Sequence, residues 1–336
     1  MAMIVAMAEI ESYIVTGDSH AINTSASGKF DSDYARMSLE HQGDYVVNGD
    51  YVGRTFTGAT SIWMTCRASF ESLHSSLDDA IIHLDDSVSG NTTLRFKSLN
   101  SRYFLEWWNG SSYTAGLKDF RPVINTVYKI DIHCLIHDTT GRFAFYIDDI
   151  LIEEFIGDTN LYASSQVDNL KLTGPQASHS AARAVHFSEV VVADEPTIGW
   201  RVATIVPDAD GNTVGEWTGG WADVDEITAS DADNLNSTAS NDTETMGATN
   251  LSTPAAALVE YVAMVLQARV KDDAGSSPLQ FQFIVRTGGT DYFSSTIALG
   301  SSYSHEENVW AVNPGTTNPW TASEIDAIEL GVESIA

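Results

Sequence analysis

The chain has 336 residues, 43% of them hydrophobic and 10% aromatic, and it sets 17 Lys plus Arg against 46 Asp plus Glu for a formal net charge of −29. That length fits about two ordinary domains at roughly 150 residues each. The charge argues against nucleic acid and against anionic membrane surfaces, both of which reward clustered Lys and Arg, and no stretch approaches the roughly 18 apolar residues that span a bilayer.

At the start, "MAMIVAMAEIESYIV" has a short apolar run ending in an Ala-x-Ala look-alike, but the first basic residue is Lys29. A signal peptide wants a positive n-region, so the expectation is a soluble product made in a cytoplasm. From about residue 55 to 192 the chain reads as strand after strand: "SIWMTCRASF", "TLRFKSL", "YFLEWW", "VYKIDIHCLI", "RFAFYIDD", "ILIEEF", "NLKLTG" and "AVHFSEVVVA". Each alternates or runs apolar for a strand's length, with Gly, Asn, Asp or Ser between. "FAFYI" and "ILIEEF" about Asp148 and Asp149 predict a hairpin. Many short strands in one region imply a sandwich of two antiparallel sheets.

Cys66 and Cys134 are too few for a disulfide framework. Alternation groups Cys66 with Ile62, Met64, Ala68 and Phe70, and Cys134 with Tyr128, Ile130, Ile132 and Ile136, so both point inward as buried thiols. A core disulfide is the alternative.

Pro196 and Gly199 in "ADEPTIGW" interrupt a strongly apolar strand and place a domain boundary near residue 197. A polar stretch from about Asp208 to Asn250 follows, and loops of that length are functional, partly disordered or wrapped on a neighbour. Strand patterns return in "AALVEYVAMVLQARVKDD", "LQFQFIVRTGG", "DYFSSTIAL" and "SYSHEENVWAV". In "WTASEIDAIELGV", Thr321 and Glu324 fit a capping box, Ile325 and Ile328 share a helical face, and Gly331 is placed to close the helix. The fold class read from this is all-β: two antiparallel β-sandwich domains, jelly rolls, with a short C-terminal capping helix.

Candidate chemistry is sparse. Retaining sugar hydrolysis needs two carboxyl groups about 5 Å apart, which alternate residues of one strand can supply. In "KIDIH" the one-sided set is Lys129, Asp131 and His133, so both outer carboxylates are missing. "SEIDAIE" puts Glu324, Asp326 and Glu329 on the predicted helix, pointing in different directions. Asp131, His133 and His137 on one outer strand face invite a metal, but ordinary surface polarity accounts for them. "DADGN" at 208–212 has Gly211 where a calcium loop does not want it, and an Asp- and Asn-stabilised turn explains it. Calcium in the acidic loops stays an expectation of second rank. Trp107 and Trp108 in "LEWWNGSSY" are the candidate glycan or interface aromatics; as neighbours on a strand they face opposite ways, one into the core and one outward. No Ser-His-Asp arrangement, phosphate loop or zinc spacing stands out, so no catalytic, cofactor or metal residues are assigned and the chain is read as not an enzyme.

"TGRFAFYIDDILIEEFIGDT", "VDNLKLTGP" and "AVHFSEVVVADEPTIGWRVATIVPDADGN" resemble the laminin G-like, concanavalin A-like jelly roll of many tailed-phage virion proteins. "LQARVKDDAGSSPLQFQFIVRTGGTDY" and "VNPGTTNPWTASEIDAIELGVESIA" resemble the second β domain that follows it there. The resemblance covers residues 100 to 336. Residues 1–50, which carry little of the resemblance, are expected to be an N-terminal anchoring or oligomerisation segment, followed by a jelly roll at 51–197 and a second β-sandwich at 198–336. The role the resemblance implies is a non-enzymatic structural protein on the virion exterior, as capsid decoration, head fibre or tail component. Its partners would be other virion proteins and copies of itself, with a trimer favoured. The alternative is a receptor-binding adhesin for host surface glycans.

Overall fold

The computed structural model describes residues 3–7, 14–16, 20–23, 37–41, 51–71, 78–87, 91–160, 166–173, 183–226, 232–251, 263–272 and 280–335. The chain divides into two compact units, residues 1–202 and 203–336. Each is built from antiparallel strands, and the fold is all-β.

In the first unit one sheet takes the spatial order Ile150–Gly157, Gly141–Ile147, Val127–Leu135, Ser61–Phe70, Arg183–Ala193, Met37–His41 and His20–Asn23, with Met3–Met7 also paired to Arg183–Ala193. The facing sheet runs Tyr113–Ala115, Arg102–Trp108, Asn91–Leu99, Asp78–Asp86, Val167–Leu172, Tyr51–Ala59 and Ile14–Thr16. Described strands from the first 50 residues thus extend both sheets. The side chains of that segment, and any anchoring role for it, lie outside the described residues.

Period-two alternation decides which side chains enter the sandwich. Ile62, Met64, Cys66, Ala68 and Phe70 of one strand are buried with Phe96, Tyr103, Leu105, Phe143, Phe145 and Leu170 from others. Each such aromatic or aliphatic side chain removed from water stabilises the fold by about 1.5–3 kcal/mol.

Both cysteines are free and buried, and burial pushes both thiols well above the usual range. Cys66 faces Ile130, and Cys134 faces Ile62. The thiols are therefore four residues apart along paired strands, about 13 Å, beyond disulfide reach.

The predicted hairpin is present, with Ile147 paired to Ile150 and positive φ at Asp148 (49°) and Asp149 (67°). Two left-handed residues make the turn whose twist matches the strands. Asp is among the residues that tolerate that geometry, and Asp148 Oδ1 accepts from the Lys129 N–H of the neighbouring strand at 2.9 Å, which anchors the turn.

In the second unit a six-stranded sheet places Pro207–Asp210, Thr243–Ala248, Glu329–Ile335, Gln280–Thr287 and Thr290–Phe293 side by side, with Ile297–Ala298 also on Gln280–Thr287. A ribbon of Met264–Val270 and Ser304–Trp310 supplies Met264 and Trp310 to the core it shares with Phe281, Phe283, Val285, Trp320 and Leu330. The polar 208–250 stretch holds two of these strands. Its buried Glu244 accepts the backbone N–H groups of Gly215 (2.9 Å) and Trp217 (3.3 Å), which fixes the loop to the sheet.

The short terminal helix expected from the sequence is present, but it ends well before Gly331. The helix is Ala322–Ile325 alone, and Glu329–Ile335 is a strand between Thr243–Ala248 and Gln280–Thr287. The capping box is real: Thr321 Oγ1 accepts from the Glu324 N–H at 3.3 Å, and Glu324 Oε2 accepts from the Thr321 N–H at 2.9 Å. Gly331 does not end a helix. A Cβ there would stand 2.3 Å from the Glu244 carbonyl oxygen, so glycine is needed where two strands approach closely. The three acids read on the predicted helix have separate structural roles: Glu324 caps, Asp326 accepts from Leu251 N–H, and Glu329 from Asn212 N–H.

Candidate functional site on the outer face of the seven-stranded sheet

The strand Arg102–Trp108 turns Tyr103, Leu105 and Trp107 into the core. Arg102, Phe104, Glu106 and Trp108 therefore line the opposite, outer face over about 20 Å. Trp107 is 7% exposed, with its ring 4.8 Å from Phe155 and 6.0 Å from Phe143, so Trp108 is the outward member of the pair.

A polar row crosses this face at right angles to the strands. Lys171 faces His83, His83 faces Arg95, and Arg95 faces Glu106, each in register. Lys171 pairs with Asp85, while Arg95 and Lys97 both pair with Glu106, the latter at 3.3 Å. Asp85, Lys97 and Glu106 are buried, although their strand face is the one turned from the core. Burial holds His83 below the ordinary histidine range, and Lys171 and Arg95 push it the same way against Asp85. The imidazole is thus neutral at neutral pH and able both to donate and to accept a hydrogen bond.

One end of the row is aromatic. The Arg95 guanidinium lies 3.8 Å from the Tyr113 ring centroid, and Tyr113 meets Trp108 edge-on at 5.4 Å. The turn joining the two aromatics is fixed by Asn109, whose Oδ1 accepts the Ser111 and Ser112 N–H groups at 3.0 and 2.9 Å, and by Gly110 at φ 92°.

Near the other end of Arg102–Trp108 the covering segment leaves the sheet. Gly116 N–H donates to the Leu105 carbonyl and Phe120 N–H to the Tyr103 carbonyl, and Leu117–Asp119 bulge between these two attachments. The Lys118 N–H is held by the carboxylate of buried Glu153. The bulge leaves a cavity of about 480 Å³ lined by Phe104, Arg102, Leu117, Lys118 and Arg121 among others.

The expectation that Asp131, His133 and His137 are one row of surface residues is corrected. Asp131 is 0% exposed: Lys129 Nζ donates to both its oxygens (3.0 and 2.8 Å), and Thr197 Oγ1 donates at 2.7 Å. The segment carrying Thr197 and Gly199 folds over this outer face, its carbonyl and amide groups bound by Lys129 and Asp149. His133 is buried beneath Trp63, with rings stacked at 4.3 Å, and burial with nearby Arg142 lowers its pKa to about 4. His137 lies past the strand and is exposed, its Nδ1 accepting from the Thr139 and Thr140 N–H groups at 3.1 Å. These groups fasten the fold. Among the described residues no group of three His, Cys, Asp or Glu side chains converges as a metal shell, and no helix is long and apolar enough to cross a membrane.

Sequence reasoning named Trp107 and Trp108 as a pair with one member outward, and missed the row beside them. "DDAIIHLDD" carries too many acids to read as a strand, yet Leu84 enters the core while His83 and Asp85 face outward. The alternation Arg95, Lys97 in "TLRFKSL" was the legible signal for cations on one face.

No protein-family model matches the chain, and no curated protein matches it. Among solved structures, the cellulose-induced protein Cip1 is similar over 57% of this chain and 94% of its own, at 12% identity and a TM-score of 0.41. The binding domain of botulinum neurotoxin DC, in complex with SialylT, is similar over 96% and 89%, at 12% identity and a TM-score of 0.40. The alginate lyase Aly36B is similar over 54% and 96%, at 8% identity and a TM-score of 0.36.

Proposed function

We propose that this chain is a non-catalytic glycan-binding adhesin, its jelly roll holding saccharide along the outer face of the seven-stranded sheet. The observation that carries the reading is the strand Arg102–Trp108, which puts Phe104, Glu106 and Trp108 in line beside the Lys171–His83–Arg95 row. Sugars offer apolar ring faces and dense hydroxyl groups, and this surface offers the half-buried rings of Trp108 and Tyr113 with fixed donors and acceptors beside them. A binding role fits better than hydrolysis. Asp85 and Glu106 are each engaged by cations, and the residues two places from Glu106 on its strand are Phe104 and Trp108, not a second carboxylate.

In this reading the adhesin sits on a particle exterior, as a homo-oligomer attached to other virion proteins; what supports that is the resemblance of residues 100–336 to tailed-phage virion proteins and a strong negative charge that suits a crowded outer shell. A glycan array probed with the full chain and with Trp108→Ala tests the binding. The expected result is a defined set of glycans lost in the variant; a blank array refutes the reading. Immunogold labelling of intact particles tests the placement, and unlabelled particles refute it.

A further inference from the structure

We infer that the glycan held on this face is anionic, with its acidic group seated in the cavity between Arg102, Lys118 and Arg121. This rests on the glycan reading above and adds the substrate class.

The chain has only 17 Lys and Arg residues against 46 acids. Six of those cations, Arg95, Lys97, Arg102, Lys118, Arg121 and Lys171, lie on this one sheet face or at the cavity beside it. Solubility does not ask for such clustering in so acidic a protein. Along the row, the cations are matched by Asp85 and Glu106. At the cavity the match fails. Asp119 is the one acid in its lining, and it pairs with Arg102 at 3.0 Å where both side chains are open to water. Among the described residues neither Lys118 nor Arg121 has a carboxylate within ion-pair distance.

Even with the Glu153 carboxylate beneath the bulge counted beside Asp119, a net positive charge therefore faces a cavity that Phe104 helps to line. Screening confines the field of the remaining acids to about 8–10 Å, so the local surplus governs what enters. A guanidinium and an ammonium beside the apolar Phe104 suit a sugar ring bearing a carboxylate or a sulfate: the ring packs on Phe104 while the planar Arg121 group takes two oxygens. Glu153 holds the main chain of the bulge that makes the cavity, so the Lys118 backbone is fixed before the ligand arrives.

The test uses the full chain and matched probes: oligogalacturonate against its methyl ester, and sulfated against unsulfated dextran oligomers. Each pair keeps the sugar backbone and removes the negative charge, and the two acidic probes separate carboxylate from sulfate. At least one acidic probe is expected to bind about tenfold or more tightly than its neutral match, with the preference shrinking as salt rises. Lys118→Ala with Arg121→Ala should remove that preference while leaving the thermal unfolding midpoint in place, since both side chains are exposed. Equal binding within both pairs, or an array that retains neutral glycans only, overturns the anionic assignment and leaves the glycan reading standing. A blank array together with no binding of any probe overturns both.

Discussion

Replacing Lys129 by Met should be the most damaging single polar change in the first unit. Its Nζ donates to both oxygens of Asp131, to Asp149 Oδ1 at 2.7 Å and to the Thr197 carbonyl at 3.0 Å. Asp149 is 45% exposed and can turn to water, whereas the Asp131 side chain is 0% exposed and cannot. Removing one partner of a buried pair costs about 3–5 kcal/mol. Against a domain stability of about 5–15 kcal/mol that is a large share. Lys129→Met with Asp131→Leu should recover most of the loss, because two apolar groups leave no charge behind. Burial already raises the Asp131 pKa. The folded state therefore binds the Asp131 proton more tightly than the unfolded state does. This contribution favours the fold as pH falls through the raised pKa and is lost as pH rises through it. The Lys129→Met deficit should accordingly shrink toward low pH. Urea unfolding, with hydrogen exchange at Ser61–Phe70 and Val127–Leu135 as a local readout, measures all of this. A Lys129→Met loss below about 1 kcal/mol, or a double variant as damaged as the single one, would refute the reasoning.

The adjacent tryptophans should separate cleanly. Trp107→Ala destabilises the first unit by about 3–5 kcal/mol, read as a fall in its unfolding midpoint, while Trp108→Ala leaves that midpoint within a few degrees and weakens glycan binding about tenfold. His133, with its pKa lowered to about 4 by burial and by Arg142, takes up a proton more readily when unfolded. Its contribution is present above the ordinary histidine value and is lost as pH falls from about 6.5 toward 4; His133→Gln should flatten that part of the stability profile in acid titration. Gly331→Ala forces a Cβ on the central strand of the second unit to within 2.3 Å of the Glu244 carbonyl oxygen on the adjacent strand, and calorimetry should show that unit destabilised by about 1–3 kcal/mol.

Strand existence was legible wherever one face is apolar, as in "SIWMTCRASF", which forms the strand Ser61–Phe70. It was not legible where both ends of a strand are acidic, as in Asp78–Asp86, or where a local helix signal competes with tertiary pairing. At the C-terminus the capping box specifies one turn, and the apolar alternation of Ile328, Leu330 and Val332 then serves a strand instead. That one of Trp107 and Trp108 faces outward could be read from alternation alone. The row beside them could not, because Lys171, His83, Arg95 and Glu106 meet only through pairings between strands far apart in sequence. Burial of Asp131 was likewise invisible, since it depends on Thr197 folding back over the sheet.

The most direct test of the account is a hydrogen-exchange footprint of the full chain with and without a saturating oligosaccharide taken from the array. The account predicts slowed exchange concentrated in Asn91–Leu99, Arg102–Trp108 and residues 109–121, with residues 203–336 unchanged. Protection confined to residues 203–336, or to the face of the first unit that carries Trp63 and Asp131, would contradict it.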